Sequence, residues 1–341
     1  MFTIRSAFLL CALALTGAAH AGMGLATLPP AGDDGPVTVF YPTAAPNQPL
    51  RLGPFTLQVA PDAAPQRGNG RLVMVSHGSG GSPTVHADLA AALVEAGFVV
   101  AMPLHRGDNY RHDARPGPDS WALRPGEVSR AIDSVGRDAR FAPLLALDRV
   151  GVYGMSAGGH TALSMAGGRW SRAGFKRHCE AHLEADFPAC VGLFTALDGG
   201  VFDGLRRFGA RTVIGLRFSD DTPQTHHDPR VAAIVAAVPF AADFDMASFA
   251  HPPVPLAIVT SGRDAWLAPA FHGQRVLAAC GGCVSLVDLP EAGHGAWLSP
   301  PPPGLTGRAG ALLNDPPGFD RSVLPAAHRK IAGFFSSHLL P

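Results

Sequence analysis

The sequence predicts an α/β protein with a mostly parallel central sheet of about eight strands, flanked by helices and carrying insertions over the carboxyl ends of the strands. Three observations carry this expectation. Val150–Met155 is a β-branched and aromatic run that ends in Gly154-Met155-Ser156-Ala157-Gly158 and passes into Thr161–Ala166, reading as a strand, a sharp turn and a helix. Arg71–Ser76 and Phe98–Met102 are continuously apolar, as fully buried strands are, and the helical segment Thr84–Ala96 between them makes a parallel βαβ unit. The same alternation recurs to the C-terminus.

In chain order, Met1–Ala21 carries one positive charge at Arg5, an apolar run from Ala7 to Leu15 and the small-residue ending Ala19-His20-Ala21. This is the pattern of a secretory signal peptide, cleaved before Gly22. The apolar run is shorter than the about 20 residues a membrane span needs, and the Leu9-Leu10 that precedes Cys11 argues against a lipid-anchored cysteine. Residues 22–341 then read as one domain. Val37–Tyr41 and Phe55–Val59, broken by prolines, read as antiparallel edge strands. Ser82 is the expected cap of the first helix, Pro83 its first residue and Gly97 its end. A helix is expected over Pro125–Ala139 and strands over Ala232–Val238, Pro255–Thr260 and Val284–Leu289. Further helices are expected over Pro269–Ala279 and Ala326–Leu340. Ala232–Val238 fits either period, and the repeating architecture selects strand. Two polar segments, 106–121 and 168–229, interrupt the alternation. Both follow the carboxyl ends of predicted parallel strands, where open α/β sheets bind ligands, so they are placed at the ligand mouth, with plain surface loops as the alternative.

At 341 residues and 47% hydrophobic, the chain can bury a large core. Lys+Arg and Asp+Glu balance at 27 each, so there is no net field to hold nucleic acid or an anionic membrane, and a small neutral partner is favoured. The loop His77-Gly78-Ser79-Gly80-Gly81 has no Lys-Ser/Thr behind it, and no G-x-G-x-x-G with a downstream acid occurs, so no nucleotide cofactor is expected. His226-His227 lacks companions at ligand spacing, so no metal site is expected. Beyond Cys11, the even number of cysteines in an exported chain favours disulfides. The expected pairs are Cys179–Cys190, within the long insertion, and Cys280–Cys283, between a helix and the last strand. Cys280-Gly281-Gly282-Cys283 also has the spacing of a redox pair, without the βαβ setting of one.

The chemistry centres on Ser156. A serine hydroxyl is a poor nucleophile at neutral pH and needs a base within hydrogen-bond reach and a third group to orient that base. Among 15 histidines, His294 follows the last strand, sits between Gly293 and Gly295 and comes after the serine in sequence. Asp264, in the loop beyond Pro255–Thr260, is the chosen acid, with Asp243 and Asp288 as rivals. His160 reads as packed on a helix and His226-His227 as solvated. Backbone N–H groups of Ala157 and Ser79 are the candidate oxyanion donors. His77, Met155, Trp266 and Trp297 are candidates for the substrate cleft, and Trp121, Trp266 and Trp297 have equal claims to ordinary packing.

Together these residues resemble the α/β-hydrolase superfamily. More narrowly, Phe40-Tyr41-Pro42-Thr43, Ser76–Gly81, Gly154–Gly159, Asp228–Ala233 and Ala292-Gly293-His294 resemble bacterial dienelactone hydrolase-like proteins and platelet-activating-factor acetylhydrolase-type esterases. The resemblance runs from about Gly35 to the C-terminus. It implies a serine-dependent hydrolase of carboxylic esters, small or polymeric. Two departures bear on this: dienelactone hydrolases use a cysteine where this chain has Ser156, and the acetylhydrolase arrangement puts the acid one strand earlier, nearer Asp243. A peptidase or amidase on the same scaffold, and a catalytically silent binding module, are the alternatives.

Overall fold

The computed structural model describes residues 22–341, and the predicted signal peptide lies outside the described residues. The described residues begin with strands β1 (Gly22–Leu28), β2 (Val37–Thr43), β3 (Gln48–Leu52), β4 (Phe55–Pro61) and β5 (Leu72–Ser76). There follow α1 (Ala87–Glu95), β6 (Val99–Pro103), α2 (Pro118–Trp121), α3 (Arg124–Arg137), β7 (Val150–Met155) and α4 (Ala157–Met165). The long insertion holds β8 (Arg169–Trp170), α5 (Arg172–His182), α6 (Phe187–Val191) and α7 (Asp203–Arg217). The remainder is β9 (Val231–Ala237), β10 (Phe244–Asp245), β11 (Leu256–Ser261), α8 (Gly273–Ala279), β12 (Val284–Leu289), α9 (Gly307–Leu313) and α10 (Leu324–Leu339).

Ten strands form one sheet in the order β12-β11-β9-β7-β5-β6-β2-β1-β4-β3, and β8 pairs with β10 apart from it. From β12 to β6 every neighbouring pair is parallel. β2 runs antiparallel to β6 and to β1, and β3 and β4 form a hairpin beyond them. The strand over 232–238 forms as β9. Two sheet strands, β1 and β3, were not foreseen. β1 lies directly after the predicted cleavage signal and is rich in small residues with no alternation, while β3 is largely exposed and is held by pairing with β4 rather than by its own pattern.

Apolar layers cover both faces of the sheet. On one face Val128, Ile132 and Leu163 from α3 and α4 pack over Met74 and Val152, and on the other Leu89, Leu93, Ile331 and Phe335 from α1 and α10 pack over Val73 and Val100. β5 lies between β7 and β6, so the winding direction reverses there, and it is beyond the carboxyl ends of strands at such a reversal that open α/β sheets bind ligands.

The insertion over 168–229 is largely helical. Cys179–Cys190 (S–S 2.09 Å) ties α5 to α6, and Cys280–Cys283 (S–S 2.04 Å) closes the turn from α8 into β12. Both expected pairs form. α7 turns Asp203 and Ile214 inward and leaves Leu205, Phe208, Val213 and Leu216 exposed. Among the described residues, no helix is long and apolar enough to cross a membrane, and no group of three or more His, Cys, Asp or Glu side chains converges as a metal site would.

Candidate active site

Ser156 occupies the turn between β7 and α4 with φ 59° and ψ −119°, a conformation that L residues rarely adopt. The surrounding backbone enforces it. The Ser156 N–H donates to Ala237 O at 3.0 Å, and its carbonyl accepts from the N–H groups of His160 (3.0 Å) and Phe240 (3.2 Å). The neighbouring glycines are required by proximity: a Cβ on Gly154 would lie 1.9 Å from Gly158 O, and one on Gly158 would lie 1.9 Å from Ser76 O. Only hydrogen at these positions lets strand and helix approach so closely.

His294 and Asp264 come together from the ends of β12 and β11. His294 Nδ1 pairs with Asp264 Oδ2 at 2.7 Å, with both side chains 2% exposed. The other carboxylate oxygen, Oδ1, accepts from the backbone N–H groups of Trp266 and Leu267, each at 2.8 Å, which fixes the orientation of the carboxylate. Trp266 stacks on the His294 ring with 5.9 Å between centroids. Among the described residues, His294 Nε2 has no protein partner, and no hydrogen bond joins it to Ser156 Oγ.

The rival acids are engaged elsewhere. Asp243 pairs with His160 Nε2 at 3.1 Å in a buried cluster where Trp121 stacks on His160 at 4.6 Å. Asp288 accepts from Thr260 Oγ1 at 2.6 Å on the exposed edge strand. His226 meets Ser129 Oγ at 2.9 Å, and His227 is exposed.

Three of the four candidates for the cleft are buried and engaged in packing or hydrogen bonds. His77 and Met155 are 1% exposed and Trp297 2%. The Trp297 indole N–H donates to Ser261 Oγ at 3.0 Å inside the core. His77 Nε2 accepts from the His105 N–H at 3.1 Å, so Nδ1 carries the proton and donates to Gly78 O at 2.7 Å. Both ring nitrogens are thus occupied. Met155 lies beneath the glycine loop, its sulfur 3.5 Å from where a Gly78 Cβ would sit. Trp266 alone of the four remains partly exposed.

The glycine loop leaves β5 and turns tightly beside the serine. Gly81 N–H donates to Gly78 O at 3.1 Å, closing a turn that needs Gly80 at φ 64°. A Cβ on Gly78 would lie 3.3 Å from Ser156 Cβ. The backbone N–H groups of Ser79 and Ala157 have no acceptor among the described residues.

Sequence reasoning missed the residues behind this loop. Arg124 is fully buried. His105, also buried, meets Ser76 Oγ at 2.7 Å and Glu127 at 2.6 Å. Burial, reinforced by nearby positive charge that includes Arg124, pushes the His77 and His105 rings well below the ordinary imidazole value, so both stay neutral. On the far side, Asp186 accepts from His178 (2.8 Å), His272 (2.9 Å) and the Ala268 N–H (3.2 Å), bracing the loop that carries Asp264 against the insertion. Burial opposes ionisation of Asp186, but its two imidazole partners outweigh that and hold it well below the carboxylate range. No spacing marks such residues in the sequence, because their partners come from distant loops.

The sheet order, the strained serine at its centre and the His and Asp beyond later strand ends define an α/β-hydrolase fold. A solved structure, the ferulic acid esterase from Streptomyces cinnamoneus, is similar to the chain with a TM-score of 0.58 and 17% identity, over 96% of this chain and 92% of that one. At that identity the likeness establishes the fold. No protein-family model matches the chain, and no curated protein matches it.

Proposed function

We propose that this chain is an exported serine hydrolase of carboxylic esters. The observation that carries the reading is the backbone of Ser156, held at φ 59° between β7 and α4 where strain is kept only if the surroundings impose it. In this reading Ser156 Oγ attacks the ester carbonyl carbon while His294 Nε2 takes its proton. The Ser79 and Ala157 N–H groups donate to the developing oxyanion, each worth about 3 kcal/mol of transition-state stabilisation. Collapse breaks the ester C–O bond, and His294 returns the proton to the departing alcohol. Water, deprotonated by His294, then releases the acid and restores Ser156. Asp264 holds His294 in the tautomer this requires. The resemblance to dienelactone hydrolase-like and acetylhydrolase-type esterases supports the same chemistry, and the two disulfides fit an oxidising compartment outside the cytoplasm.

The test is a panel of esters, from short p-nitrophenyl esters to lipids, polyesters and a ferulate ester, set against matched anilides. The ferulate ester is included because a solved structure of this fold is a ferulic acid esterase. Esters are expected to be cleaved far faster than anilides, and Ser156→Ala to abolish turnover while keeping Tm. Equal kcat/KM on matched ester and anilide would make the chain an amidase, and undiminished turnover by Ser156→Ala would remove the serine from the chemistry.

A further inference from the structure

The segment 106–121 is tied to the glycine loop through Asp108. Asp108 and Arg124 form an ion pair at 2.8 Å with side chains 1% and 0% exposed. The Arg124 guanidinium spends its donors on Ser120 Oγ (2.8 Å), His77 O (2.6 Å), Asp108 O (3.2 Å) and Asp108 Oδ2. The other Asp108 oxygen, Oδ1, accepts from Ser79 Oγ (2.6 Å) and from the Gly80 N–H (2.9 Å). Burial opposes ionisation of Asp108, but Arg124 and the Ser79 and Gly80 hydrogen bonds outweigh it and hold the group below the usual carboxylate range. The pair therefore grips the glycine turn at two places: Arg124 at its root, through His77 O, and Asp108 at its tip, through Ser79 and Gly80. The Ser79 N–H lies between those points, in a turn that sits against Ser156 and α4.

We propose that Arg124 and Asp108 are positioning residues that set the Ser79 N–H against the oxyanion. This rests on the hydrolase reading above. An oxyanion donor is useful only when held where charge develops, and a two-residue turn tip has little stiffness of its own. The pair supplies that stiffness without touching substrate. A loosened turn lowers transition-state stabilisation and leaves ground-state binding alone, so the expected signature is a fall in kcat at constant KM.

The experiment compares wild type, Ser156→Ala, Asp108→Asn and Ser79→Ala on a short p-nitrophenyl ester, with Tm and hydrogen exchange of the peptide covering 76–82 measured in parallel. Asp108→Asn is expected to lower kcat by about 10²-fold, with KM within a few-fold of wild type, an unchanged shape of the kcat/KM pH profile, and faster exchange in 76–82. Removing a buried charge partner threatens folding, and Ser79→Ala guards against that, since it removes one Asp108 hydrogen bond and leaves the ion pair whole. It is expected to lower kcat by about 3–10-fold at constant KM, with Tm little changed. Wild-type kcat in folded Asp108→Asn and in Ser79→Ala, with Ser156→Ala inactive, overturns the positioning role alone. A rise in KM that accounts for the whole loss overturns it equally. Continued turnover by Ser156→Ala overturns the hydrolase reading instead.

Discussion

Asp264 divides its carboxylate between two tasks, and the division decides what its replacement does. Oδ1 is held by the Trp266 and Leu267 N–H groups, which leaves Oδ2 for His294 Nδ1. In Asp264→Asn the oxygen keeps the backbone donors and the amide NH₂ faces Nδ1. His294 must then accept at Nδ1 and carry its proton on Nε2, where it cannot receive one from Ser156. A drop in kcat of roughly 10⁴ is expected. Asp243→Asn should cost far less in kcat, because Asp243 is paired with His160. Steady-state kinetics on the two variants check this, and the reverse order of severity would contradict the assignment. At this scale Ser156, Asp264 and His294 are legible as candidates, since each follows the carboxyl end of a predicted strand, and the structure brings Asp264 and His294 together. Asp108 and Arg124 carry no such mark, because Asp108 meets the first residue of α3, and both meet the loop after β5, only in the folded chain. Trp297 carries both readings in sequence, cleft and packing, because an aromatic near a candidate histidine looks the same whether it faces solvent or Ser261, and the structure selects packing.

β7, the strand that ends at Ser156, is braced from beneath by α10. Gly151 in β7 leaves space that the Phe335 ring fills, coming within 2.7 Å of where a Cβ would lie, and Phe335 is fully buried. Phe335→Ala is expected to cost about 3–5 kcal/mol of stability, measured by urea unfolding, with kcat per folded molecule near wild type. A loss below about 1 kcal/mol would show that α10 does not brace this strand. Elements were legible in sequence in proportion to how regularly they are buried. β5, β6, β7 and β11 are buried at every residue and read as continuous apolar runs. α7 was missed because its apolar residues do not form a core-facing stripe: Leu205 and Phe208 are each 68% exposed and Leu216 83%.

Across the whole molecule, buried neutral histidines link stability to pH. Burial lowers His86 and His328 to about 4, and each is also influenced by neighbouring charge. His77 and His105 are held low as well. Unfolding returns these rings to an ordinary value near 6.5, so the unfolded chain binds more protons between about 4 and 6.5. Their contribution is fully present above that window and is lost as pH falls through it, on the order of 2 kcal/mol for each of His86 and His328 at pH 5. Tm by calorimetry should fall by several degrees from pH 7.5 to pH 5, and His86→Leu should flatten that fall. A Tm independent of pH over this range would contradict the neutral burial of these rings.

The central claim is that Ser156 is the nucleophile of an activated site, and a fluorophosphonate probe read by mass spectrometry tests it most directly. The expected result is one adduct per chain, mapped to the peptide containing Ser156, absent in Ser156→Ala and formed much more slowly in Asp264→Asn. An adduct on another residue, or labelling of Ser156→Ala at the wild-type rate, would contradict it.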